Sequence, residues 1–345
     1  MYSPSTVRSI LAGVLISAVT ALTPSHAEVN KEPAVQQVHG SLSIMVLGSG
    51  GPASTASGRA SAGYLIFTDG RPRILMDVGG GTFQRLAASR ANAKDLDLVL
   101  LSHLHIDHMG DLSPVIKMIY FQNKGAGTFR TAPIRIYGPD ANGVPFPKTK
   151  IPQYPSTTQF STSHYDMPNG SERYLHIFGK AINAGVFSYK AHNISPDVKK
   201  PVRTILNEDG LVVKAVGVVH GPVPALAYRV EYKGKSIVFS GDTSTKTDNM
   251  IALAQGADLL IYDTAVMDDL PNGPKDGVFF KLHSKPSRIG QVAAAAKVKE
   301  LVLSHITPVT EPRLDKVKEL VQAQDYKGKI DVAEDLKVYN LSEVD

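Results

Sequence analysis

Hydrophobic positions along this chain come in short runs separated by glycine, proline and acidic residues. Residues 42–47 are almost continuously apolar and stop at Gly48-Ser49-Gly50-Gly51-Pro52, the pattern of a buried strand closed by a turn. Residues 64–67 and 73–76 flank Asp69-Gly70 and read as a hairpin; Asp77 ends its second strand, and Gly79-Gly80-Gly81 follows. A helix is expected over 83–89, a short apolar strand over 98–101, a helix over 112–120 and a strand over 134–137. Strands resume at 211–219, 225–232 and 236–239. They are followed by a helix near 250–254, a strand at 259–262, a helix over 289–297, a strand at 301–303, a helix over 314–321 and a closing strand at 336–339. Both halves alternate paired strands with helices. This predicts one α/β domain of two packed sheets with helices outside.

Residues 141–205 break the rhythm. They are rich in Pro, Ser, Thr and Tyr, with a helical patch near 174–185, and are expected to form an insertion over one edge of the domain. Tyr154, Tyr165, Phe178 and Phe187 could stack on an aromatic leaving group or form the insertion's own core; the core reading is the stronger. The first 27 residues stand apart. Arg8 precedes an apolar run over 10–22, and Ser25-His26-Ala27 puts small residues at the positions a signal peptidase reads. Thirteen helical residues rise only about 20 Å, short of a roughly 30 Å hydrocarbon core, so a retained anchor is the weaker alternative. Residues 1–27 are therefore expected to be a signal peptide, and 28–345 a single domain in the periplasm or outside the cell. No later stretch looks membrane-spanning.

Cysteine is absent, which removes both disulfides and thiolate metal ligands. The net charge of +5 becomes +4 once Arg8 leaves, and the longest Lys/Arg run is Lys199-Lys200. Such a weak bias argues against a nucleic-acid partner.

The chemistry concentrates at Ser102-His103-Leu104-His105-Ile106-Asp107-His108, directly after the strand at 98–101. A lone histidine is more commonly a core or surface group; four ligand-type side chains within six positions point to a metal. In an extended segment His103 and His105 project to one side, while Asp107 and His108 follow where the chain turns. His220, Asp242 and His305 each come just after an apolar strand, and Leu303-Ser304-His305 echoes Leu101-Ser102-His103. His103, His105 and His220 can serve one metal, and Asp107, His108 and His305 a second, with Asp242 bridging. Zinc suits such a nitrogen and oxygen set, two ions per chain; manganese and iron remain open. Asp77 and Thr82 either support these ligands or merely cap the turn.

These motifs resemble the metallo-β-lactamase fold superfamily, and residues 42–340 look like its ribonuclease Z and arylsulfatase branch. Supporting stretches are Leu47-Gly48-Ser49-Gly50-Gly51-Pro52, Ser240-Gly241-Asp242-Thr243 and Leu303-Ser304-His305. The resemblance implies a four-layered αβ/βα sandwich with a binuclear zinc site at the sheet edge. It also implies Asp107, His283 and Asp263 as catalytic residues. His283 would act as general acid or oxyanion contact, oriented by Asp263 where many relatives of the tRNA enzyme carry Glu. A hydroxide generated at the zinc pair would then hydrolyse a sulfate or phosphodiester ester. Export and the lack of an evident RNA-gripping arm favour a small anionic ester as substrate, with no nucleic acid. A ribonuclease Z-like endonuclease, a lactone or β-lactam hydrolase and a non-catalytic metal-binding module are the alternatives. A homodimer stays open.

Overall fold

Two seven-stranded sheets are built on the same plan. The computed structural model describes residues 38–341 apart from 129, 131, 146–147, 152, 167–169, 172, 175–187 and 270–276; the expected signal peptide at 1–27 lies outside these. The first sheet holds β1 (Leu42–Gly48), β2 (Gly63–Thr68), β3 (Arg71–Val78), β4 (Leu98–Leu100), β5 (Ile134–Pro139) and β6 (Tyr189–Ile194), with β14 (Val338–Leu341) beside β1. The second runs from β7 (Arg203–Glu208) through β8 (Leu211–His220), β9 (Val223–Tyr232), β10 (Lys235–Phe239), β11 (Leu259–Asp263) and β12 (Glu300–Ser304) to β13 (Lys329–Val332). Each begins as an antiparallel meander and continues as parallel strands, from β3 in the first sheet and from β10 in the second.

The helices are α1 (Thr82–Ala88), α2 (Ile106–Met109), α3 (Leu112–Gly125), α4 (Thr157–Tyr165), α5 (Asn249–Ala254), α6 (Val278–Leu282), α7 (Pro286–Ala295) and α8 (Leu314–Gln322). Ile44, Ile66 and Ile74 of the first sheet meet Leu226, Tyr228 and Ile261 of the second in the central core. Helix α3 covers the outside of the first sheet through Leu112, Val115, Ile116 and Ile119, the i, i+3, i+4, i+7 stripe of an amphipathic helix. Ile289 and Val292 of α7, with Val317 and Val321 of α8, cover the second. The result is the four-layered αβ/βα sandwich of the metallo-β-lactamase fold.

The hairpin at Asp69-Gly70 forms because both residues accept positive φ, 47° and 74°. The expected insertion at 141–205 is narrower than its sequence suggests. Within it, β6 and β7 are edge strands of the two sheets, and Ser156 caps α4. Edge strands bury few side chains, so Tyr-Lys-Ala-His-Asn-Ile and Arg-Thr-Ile-Leu-Asn-Glu carry little hydrophobic alternation. Beyond Tyr174, the helical patch at 174–185 lies outside the described residues, as do Phe178 and Phe187. No helix among the described residues is long and apolar enough to cross a membrane.

Strands β3, β4, β8, β10, β11 and β12 all finish at one edge of the sandwich, since β8 and β10 both run antiparallel to β9. Crevices outside the carboxyl ends of parallel strands are the usual place for ligands in open α/β sheets.

Candidate metal centre

His103 and His105 leave β4 in extended conformation, and His105 (φ −68°, ψ 152°) begins α2. Their rings therefore face the same space, with Nε2 of His103 2.9 Å from Nδ1 of His105. Helix α2 then redirects the chain and aims Asp107 and His108 together, 3.4 Å apart. His220 closes β8, its ring centre 4.8 Å from that of His103. Its Nδ1 donates to the Leu282 carbonyl at 3.1 Å, which leaves Nε2 for a ligand. His305 follows β12 at φ +57°, an uncommon conformation for a residue with a side chain. Gly51 makes room for it: a Cβ there would lie 2.7 Å from the His305 ring.

These groups form two clusters that share Asp242. One holds His103, His105, His220 and Asp242, the other Asp107, His108, Asp242 and His305; in each, the ligand atoms lie within 4.8 Å of one another. Bonds of about 2.05 Å at tetrahedral angles separate neighbouring ligand atoms by about 3.3 Å. His108 and His305 Nε2 are 3.2 Å apart, and Asp242 Oδ1 is 3.2 Å from each. On the other side, Asp242 Oδ2 lies 3.8 Å from His103 Nε2 and 3.7 Å from His220 Nε2. Oδ1 of Asp242 is buried yet accepts no hydrogen bond. A buried, unsatisfied carboxylate oxygen among convergent imidazoles is costly unless a cation sits beside it. The residues thus fit one or two divalent cations.

A second layer of carboxylates orients the imidazoles. Asp77, at φ +53°, accepts from the Ser102 amide at 2.7 Å and hydroxyl at 2.8 Å, and lies 2.8 Å from His108 Nδ1. This decides between the two readings of Asp77 left open by its sequence: it supports a ligand. Such partners fix ring orientation and raise ligand basicity. Asp263 ends β11 and reaches two rings, His283 Nδ1 at 2.6 Å and His305 Nδ1 at 3.2 Å. His283 sits 4 % exposed at the C-terminal end of α6, against Phe279.

Burial holds His103, His105 and His220 below the usual histidine range, the neutral state that ligates metal. Burial also disfavours charge on His108 and His305, but the surrounding carboxylates together outweigh it, Asp242 with Asp107 and Asp77 for His108 and Asp242 with Asp107 and Asp263 for His305: His108 is raised well above the usual range and His305 is pushed up to about 10. Burial likewise opposes the Asp107 and Asp242 carboxylates. Nevertheless His108 beside Asp107, and His305 with His108 beside Asp242, hold both far below the ordinary carboxylate range. For His283, the Asp263 carboxylate overcomes burial and raises its affinity for a proton.

A family model for the β-lactamase superfamily domain matches residues 72–306. The chain belongs to the metallo-β-lactamase fold superfamily. It is 29% identical over 301 residues to ribonuclease Z of Mycobacterium bovis (strain BCG / Pasteur 1173P2), covering 86% of this chain and 96% of that one. Among solved structures, the metallo-β-lactamase fold protein YhfI from Bacillus subtilis superposes with TM-score 0.62 at 22% identity, and the short form of human tRNase Z with 0.60 at 23%. Each match covers 86% of this chain and 98% of the other; at that identity they speak to the fold alone. Fold and ligand clusters together make the chain a metal-dependent hydrolase suited to ester and phosphodiester chemistry. The expectation of no nucleic-acid partner is corrected by the ribonuclease Z relatives, whose substrate is RNA by name. A modest net charge misled because phosphate contacts are made by a local surface, whose charge a whole-chain sum does not report.

Sequence reasoning missed the Asp77–Ser102–His108 linkage and the carbonyl of Leu282. The signal for Asp77 was its place at the end of a strand adjoining the strand that delivers His103.

Proposed function

We propose that the chain is a ribonuclease Z-like phosphodiesterase that hydrolyses phosphodiester bonds of RNA at a centre holding two zinc ions. The observation that carries this reading is the pair of ligand clusters joined by Asp242, with the Asp263–His283 pair set against it: His283 Nδ1 lies 4.0 Å from Asp242 Oδ2. His103, His105 and His220 would hold one cation, Asp107, His108 and His305 the other, and Asp242 both. Cations bound there would lower the pKa of water and offset charge developing on the phosphoryl oxygens.

The chain's own residues do the rest. Asp77 locks His108 by its Nδ1 atom, so that Nε2 faces the centre, and the Asp263 carboxylate stands 3.2 Å from Nδ1 of His305. Asp263 also engages Nδ1 of His283, leaving Nε2 of that ring for substrate. The Asp263 carboxylate raises the proton affinity of His283 and so favours its protonated form. Water, its proton given up to solvent, forms a new P–O bond as the bond to the leaving oxygen breaks; the proton on Nε2 of His283 passes to that oxygen, and Asp263 stabilises the imidazolium before transfer.

The test is to offer the zinc-loaded protein a tRNA precursor transcript, bis-p-nitrophenyl phosphate and p-nitrophenyl sulfate. Cleavage of the transcript and of the phosphodiester, abolished by Asp242→Ala, is expected. Turnover of the sulfate alone, or of nothing with zinc bound, would sink the proposal. We also read the N-terminal leader as an export signal, and cell fractionation checks it: uncleaved protein in the cytoplasm overturns that part and places the enzyme among maturing RNAs.

A further inference from the structure

We propose that a cavity beside His105 is a subsite for an aromatic ring carried by the phosphoester, either a nucleobase or an aryl group. The proposal rests on the phosphodiesterase reading and names the part of the substrate that this side of the site grips. Leu104, Tyr154, Pro155, Phe160, Val223 and Pro224 line the cavity, and His105 forms its inner end. It holds about 100 Å³ of free volume, less than the roughly 300–1,000 Å³ of a pocket for a whole ligand and the scale of one ring of a larger substrate. Among the described residues that line it, His105 alone is acidic or basic. A wall of aliphatic, proline and aromatic groups excludes a second phosphate and suits an uncharged, flat group.

The cavity is tied to the metal centre by a shared residue. His105 belongs to both, lining the cavity and standing in the first ligand cluster, so a ring held there lies against one imidazole of the centre. The cavity's outer wall is fixed as well. Ser156 caps α4, accepting from the Gln159 amide at 3.2 Å while the Gln159 side chain accepts from the Ser156 amide at 2.9 Å. The Thr157 hydroxyl donates to the Pro139 carbonyl at 2.9 Å, and the Thr158 amide and hydroxyl bind the Asn193 side chain. These bonds pin α4 to β5 and β6, and with it Tyr154 and Phe160. Leu104 and Phe160 also pack against the outer core of the first sheet. Each thus has one side anchored and the other available, a preorganised surface that loses little freedom on binding. Ile106, 79 % exposed between His105 and Asp107, adds apolar surface next to the ligands.

Equilibrium binding to the zinc-loaded protein tests this without turnover. Two pairs of probes differ only by a ring: adenosine 5′-monophosphate against ribose 5-phosphate, and phenyl phosphate against methyl phosphate. At least one ring-bearing member is expected to bind about tenfold tighter than its partner, which identifies the ring as base or aryl. Tyr154→Ala and Phe160→Ala should each bring that ratio toward 1, whereas Tyr154→Phe should keep it. Variants are compared at equal zinc content, which separates loss of the subsite from loss of the fold. Equal affinities within both pairs overturn the subsite but leave the phosphodiesterase reading intact. Failure of all four phosphates to bind overturns both.

Discussion

Asp77 and Asp242 occupy matching places in the two halves of the molecule, yet they do opposite work. Each follows or ends the strand where its sheet turns from antiparallel to parallel, β3 in one case and β10 in the other. Each is almost fully buried. The oxygens of Asp77 are satisfied by protein: the Ser102 amide, the Ser102 hydroxyl and His108 Nδ1. Oδ1 of Asp242 has no hydrogen bond and looks into a ring of imidazole nitrogens. A buried carboxylate with its partners in place is a structural brace; one without them is half of a cation site. The serine that precedes each histidine, Ser102 beyond β4 and Ser304 at the end of β12, diverges in the same way. Ser102 donates to Asp77, whereas the Ser304 hydroxyl pairs with Tyr64 at 2.7 Å and leaves His305 to Asp263.

The largest test of this contrast is Asp242→Ala. It should release metal and lower phosphodiesterase turnover by about 10³-fold or more, beyond the loss from removing a single stabilising donor. Elemental analysis and initial rates check it, and retention of two metals with normal rates would contradict the bridging role. Next comes His283→Ala, which should keep the metal content but lose about 10²–10⁴-fold in rate on substrates with poor leaving groups. With p-nitrophenolate, which needs no proton to depart, the loss should be far smaller; equal losses on both would remove His283 as proton donor. Asp77→Asn keeps shape and should cost about 10–100-fold in metal affinity or activity. Competition against a chelator measures it, and an effect as large as that of Asp242→Ala would erase the distinction between the two carboxylates.

The smallest effect concerns protons. In the metal-free protein, Asp242 together with Asp107, Asp77 and Asp263 raises the proton affinity of His108 and His305 above the ordinary histidine range. Their contribution to stability is complete below the unfolded histidine pKa and is lost as pH rises through the folded value, about 10 for His305. Zinc must displace those protons at neutral pH. Calorimetric titration in buffers of different ionisation heat should therefore show proton release on zinc uptake, shrinking as pH approaches 10. Uptake with no proton release at pH 7 would contradict the charge states assigned to the metal-free site.

Much of the site was legible in the chain. His103, His105, Asp107 and His108 are neighbours in sequence, and a strand followed by a turn suffices to gather them. His220, Asp242 and His305 could be singled out because each stands just past an apolar run. What could not be read was the neighbourhood of Asp77, whose three partners come from 25 to 31 positions away. The walls of the cavity beside His105 were equally hidden. Tyr154 and Tyr165 look alike in sequence, but Tyr165 is buried in the outer core and Tyr154 lines the cavity.

By itself, then, the order of residues determined the α/β layering, the absence of thiolate ligands and the list of candidate metal ligands, because these depend on composition and on periodicities of two to four residues. Tertiary structure alone decided which carboxylate is satisfied by protein and which is left open among imidazoles, and which aromatic packs and which faces a cavity. Those roles depend on whether distant backbone and side-chain groups arrive to satisfy a buried atom, and that is settled only when the two sheets close on each other.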